Sequence, residues 1–90
     1  MLPCMLAVVV AASAAAQDSV ITRARAAASD GRRADGIAML EAHLTTSPRD
    51  VDARLVYGLI LSWDGRYDEA RTALEAVLAQ APGYMDARVA

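Results

Sequence analysis

Ninety residues with a formal charge of −2 allow one small domain at most. Every one of the nine basic side chains is arginine, and the acids and arginines interleave along the chain. That balance leaves no broad basic surface and excludes nucleic acid as the expected partner. Phenylalanine is absent and alanine abundant. A core of Ala, Leu and Val suits close helix packing, because alanine combines the best helix propensity with a small side chain.

Residues 1–16, MLPCMLAVVVAASAAA, differ from everything after them: they carry no charged side chain, hold an apolar run and end in small residues. This is the layout of a secretory signal peptide, with Ala14 and Ala16 at the −3 and −1 positions before Gln17. The segment lacks the usual Lys or Arg near its start. It is also too short to span a bilayer, which takes roughly 20 residues. Cys4 falls inside it, so cleavage leaves a chain with no disulfide and no cysteine-based metal site.

From Gln17 a helical period takes over. Val20, Ile21, Ala24, Ala27 and Ala28 share one helix face. Gly31 then supplies a residue able to take positive φ just past a helix end. A second helix, about 33–46, puts Ala34, Ile37, Leu40 and Leu44 on one stripe, and Pro48 stops it. A third begins near Asp50, a candidate N-cap that also stands i, i+4 to Arg54 in the favourable order for an ion pair. Its middle, Leu55 to Leu61, is apolar on all sides, as a helix held between two neighbours requires. Gly58 costs about 1 kcal/mol of helix propensity there, which predicts close approach of another helix backbone. The fourth helix starts at Tyr67 with Ala70, Leu74, Val77, Leu78 and Ala81 as its buried stripe, and Pro82-Gly83 ends it.

The pattern recurs at a fixed spacing of 34 residues. Asp30-Gly31-Arg32 returns as Asp64-Gly65-Arg66, Leu40-Glu41-Ala42 as Leu74-Glu75-Ala76, and Pro48 as Pro82. Asp52-Ala53-Arg54 recurs as Asp86-Ala87-Arg88. Such a period through two turns, two helices and two stops is the signature of a stacked helical array. The expected fold is all-α, a helix–turn–helix solenoid of two units and the start of a third. The expected organisation is a signal peptide at 1–16, a degenerate unit at 17–50, a regular unit at 51–84 and a truncated third unit at 85–90.

The second unit resembles the tetratricopeptide repeat. Gly58 matches the family's first-helix glycine; Gly65, Tyr67, Glu69 and Ala70 match the turn and the start of its second helix; Leu74 and Pro82 complete the pattern. The first unit departs from it, with Arg33 in place of tyrosine and Gly36 in place of alanine. A narrower resemblance joins Leu61 to Arg71 and Pro82 to Arg88 to the periplasmic repeat region of YaiO-type outer-membrane proteins, in which a signal peptide and repeats precede a β-barrel. On that resemblance the chain is the front of a longer protein.

The resemblance implies a concave groove lined by the first helix of each unit. Carried onto this chain, the groove positions are Asp52, Leu55, Leu59, Ser62 and Trp63, with Ile21, Arg25 and Ala28 as first-unit equivalents. Leu55, Leu59 and Trp63 recur at i, i+4 and i+8, an apolar strip suited to a helix or an extended peptide, or to packing against a third unit. His43, the only histidine, has no second His or Cys to complete a site and reads as edge-packed or solvent-facing. Tyr57, Tyr67 and Tyr84 read as packing between helices with the hydroxyl at the surface. No phosphate loop, nucleophile elbow or metal-ligand spacing occurs. The expected protein is therefore a non-enzymatic interaction module without metal or cofactor, exported to the periplasm, binding protein or peptide and not nucleic acid. A stand-alone small protein that self-associates and the regulatory arm of a larger envelope enzyme are the two other readings.

Overall fold

The computed structural model describes residues 20–84, and the expected signal peptide and third unit lie outside them. Helix α1 covers 20–29, α2 Arg33–Thr46, α3 Val51–Trp63 and α4 Tyr67–Gln80. No strand occurs among the described residues. The connections are too short for anything but antiparallel neighbours. Helix α3 packs on both α2 and α4, which accounts for its all-round apolar surface.

The two Asp-Gly-Arg turns are built alike. Gly31 and Gly65 have φ of 86° and 80°, a conformation that costs glycine nothing. In each, the arginine N–H reaches back across the helix end: Arg32 to the Ala27 carbonyl at 2.8 Å, Arg66 to the Leu61 carbonyl at 2.9 Å. This closes off carbonyls that the helix end leaves unpaired. Each arginine then pairs with an acid in the first turn of the next helix, Arg32 with Asp35 at 3.5 Å and Arg66 with Glu69 at 2.7 Å. Between α2 and α3, Asp50 caps as expected, its side chain accepting the Ala53 N–H at 3.1 Å. The Pro48 carbonyl accepts from Arg54 Nη2 at 2.9 Å and from Gln80 Nε2, at the end of α4, at 3.3 Å.

A single core runs through the array, from Ala24 and Ala28 through Ile37, Leu40, Val56 and Ile60 to Ala73. Several expected core positions move. Ala34 is exposed, and Gly36, two residues on, is buried. The reason is that α1 and α2 nearly touch: a Cβ on Gly36 would lie 2.8 Å from the Ala24 carbonyl oxygen. The close backbone approach expected at Gly58 is therefore found at Gly36, while Gly58 is covered by the Leu74 side chain, 2.9 Å from a built Cβ. In α4, Ala70, Ala73 and Val77 are buried, whereas Leu74 and Ala81 are half-buried and Leu78 is 46% exposed. The stripe sits about one residue off the expected one, because alanines let α4 lie close against α3.

The Asp50–Arg54 ion pair does not form. Arg54 turns to the Pro48 carbonyl, and the Asp50 carboxylate is taken by His43 Nε2 at 2.8 Å. Tyr67, expected between helices, is instead exposed at the start of α4.

Candidate functional site

Helices α1 and α3, the first helices of the two units, put the implied groove residues on one side of the array. Ile21, Arg25, Asp52 and Leu55 line a shared concavity of about 240 Å³, with Val56 and Tyr84 completing its wall. Ile21 and Leu55 are equivalent positions one repeat apart, so the floor is apolar; Arg25 and Asp52 stand exposed at its rim. Asp52 lies in the first turn of α3, where the helix dipole favours a negative charge. It accepts a hydrogen bond from the Tyr84 hydroxyl.

The remaining implied positions run away from this concavity toward the C-terminal ends of α1 and α3. Ala28 is buried and Leu59 half-buried. The Ser62 hydroxyl donates to the Leu59 carbonyl at 2.8 Å, which satisfies it within its own helix. Trp63 is 56% exposed at the last residue of α3. The groove positions thus divide into a polar-rimmed end, near Arg25 and Asp52, and an apolar end, near Leu59 and Trp63.

Two features escaped the sequence reading. Tyr84 belongs to the groove wall; its place after Pro82-Gly83, equivalent to Asp50, was the available signal. A larger open concavity of about 600 Å³ lies where the α2–α3 connection, from Ser47 to Asp52, meets Ile21. A connection of that length carries no hydrophobic period by which to place it.

On the far side, the Tyr57 hydroxyl donates to Glu41 at 3.0 Å, tying α3 to α2. Burial first, and then this bond to a carboxylate, pushes the Tyr57 pKa above its ordinary value. Among the described residues no group of three His, Cys, Asp or Glu could hold a metal ion, and no helix is long and apolar enough to cross a membrane.

Antiparallel helix pairs with the same turn, the same stop and a common core define a helical-repeat solenoid, with a concave side formed by the first helix of each pair. A profile of the tetratricopeptide repeat matches residues 27–90, most of the chain, and the chain belongs to that family. Such repeats are generally modules for protein–protein interaction. Comparison with curated proteins finds no match, and comparison with solved structures finds none.

Proposed function

We propose that this chain is a non-enzymatic peptide- or protein-binding module, exported to the periplasm and forming the N-terminal part of an outer-membrane or envelope protein. The observation that supports the binding site is the concavity between α1 and α3, where an apolar floor of Ile21 and Leu55 lies between Arg25 and Asp52. A peptide backbone with apolar side chains two residues apart could lay them on that floor and meet one charge at each rim. The support for export is the charge-free, small-residue-terminated run at 1–16.

Two measurements test this. A photoreactive side chain at position 25, with position 35 on the outer face of α2 as control, should give a protein adduct in the native cell from position 25 alone. Equal adducts from both positions, or none, would reject the groove. The intact mass of the native protein from cell fractions tests export: a chain beginning at Gln17 in the envelope fraction supports it, and a cytosolic chain beginning at Met1 rejects it.

A further inference from the structure

The repeat sets the same reactive dipeptide in the same backbone twice. Asp30-Gly31 and Asp64-Gly65 both follow a helix with glycine at positive φ, 86° and 80°, and both are followed by arginine. In each turn the glycine N–H donates to a carbonyl three residues back, Gly31 to Ala28 and Gly65 to Ser62, both at 3.1 Å. An aspartate followed by glycine can isomerise, because no Cβ shields the glycine nitrogen from the preceding carboxyl group. A bond forms between that nitrogen and Cγ. The nitrogen gives up its proton and the protonated carboxyl group its hydroxyl, and the two leave as water. Water then adds back to the five-membered imide. Opening at the Cγ carbonyl restores aspartate; opening at the main-chain carbonyl leaves isoaspartate, with the chain running through the side chain.

What differs between the two turns is the hold on the carboxyl group. Asp64 accepts from Arg33 Nε at 3.4 Å, and its side chain is 33% exposed. Arg33 opens α2, in the other unit, so this contact ties the carboxylate to a separate element. The Asp30 side chain is 68% exposed. Among the described residues it meets only Arg32, at 3.7 Å, two residues along in the same turn and shared with Asp35. A partner that moves with the turn does not keep the carboxyl group from swinging onto Gly31. We propose that Asp30 is a site of isoaspartate formation, and that Arg33 protects its repeat equivalent, Asp64. The added main-chain carbon enters the turn that the Arg32 N–H closes by reaching the Ala27 carbonyl at 2.8 Å. It therefore acts on α1, which carries Ile21 and Arg25, and leaves Asp52 and Leu55 on the opposite wall as they are. The modification itself does not rest on the groove reading.

Prolonged incubation of the full chain in warm neutral buffer tests this, with peptide mapping as the readout. Electron-transfer fragmentation separates isoaspartyl from aspartyl peptides of equal mass. Each rate in the folded chain is divided by the rate at the same site in urea, which removes the effect of the differing preceding residues, Ser29 and Trp63. The normalised rate at Asp30 should exceed that at Asp64 roughly two- to fivefold, the range an exposed ion pair can supply. Arg33→Met should raise Asp64 to the rate of Asp30 and leave Asp30 unchanged. Equal normalised rates in the wild-type chain, no isoaspartate at residue 30, or an Asp64 rate that ignores Arg33→Met would each overturn the proposal. A rise at both sites in the variant marks lost folding, and the wild-type ratio then decides.

Discussion

Helices α2 and α4 carry closely related stripes, yet one is enclosed and the other half open. Leu40 is wholly buried in the common core, while Leu74, its equivalent, is half-buried over Gly58. In a repeat array an element's burial depends on its neighbours as much as on its own residues, since each unit contacts only the next. The same side chain at the same position therefore has a different energetic weight in the two units.

The largest expected contrast is between Leu40→Ala and Leu74→Ala. The first should cost about 3 kcal/mol or more, as a fully enclosed leucine leaves a cavity its surroundings cannot refill. The second should cost about 1–2 kcal/mol, since part of that side chain already meets water. Urea melts of the two variants side by side check this, and equal losses would mean that α4 is as enclosed as α2.

The glycines sharpen the comparison. Gly36→Ala drives a methyl group into the Ala24 carbonyl, which is backbone and cannot turn aside, so a loss of about 1–3 kcal/mol is expected. Gly58→Ala meets side chains and no backbone, Leu74 at Cδ2 (2.9 Å) and Cγ (3.0 Å) and Ala73 at Cβ (3.4 Å), and a half-buried leucine gives way more readily than a carbonyl. Helix propensity returns about 1 kcal/mol there, leaving a net change near zero. Thermal melts separate the outcomes, and a Gly58→Ala variant as damaged as Gly36→Ala would refute the side-chain account.

A smaller effect belongs to the His43–Asp50 pair, whose second-unit equivalents are Val77 and Tyr84. His43→Ala leaves the mostly buried Asp50 carboxylate with its capping bond but without its imidazole partner, at a cost of about 1–2 kcal/mol. A chemical-denaturation midpoint unchanged from wild type would show that the pair contributes nothing. The smallest effect is alkaline. The raised Tyr57 pKa means that the folded chain keeps a proton the unfolded chain gives up. Its contribution is complete below the ordinary value of 10.0 and is lost as pH rises through the folded value. The stability of Tyr57→Phe should therefore fall less steeply than that of wild type in this range, and parallel slopes would remove the assignment.

These contrasts also mark what was legible in the sequence. The turns were, because Asp-Gly-Arg needs only a glycine at positive φ and both copies supply it. The enclosed position of α3 was legible too, from a run apolar on every side. The exact stripes of α2 and α4 were not. Ala34 and Gly36 differ by one methyl group, and which of them faces α1 depends on how closely two backbones approach, a quantity without a periodic trace. Within the candidate site, the family resemblance implied Ile21, Arg25, Asp52 and Leu55 as groove positions, and one concavity is lined by all four. Tyr84 was missed because its role comes from a hydrogen bond across 32 residues. The Asp50 partner was misjudged for a related reason: local spacing favoured Arg54, but the backbone carbonyl of Pro48 took that guanidinium and left the carboxylate to His43.

That carbonyl has a mechanical consequence. It holds the side chain of Arg54 from α3 and that of Gln80 from the last turn of α4, so the loop between the units is fastened twice. Tension applied through the C-terminal end reaches the weaker fastening first, and α4 can peel away while Arg54 still keeps the loop shut. The array should then lengthen one helix at a time, each step leaving the junction behind it closed.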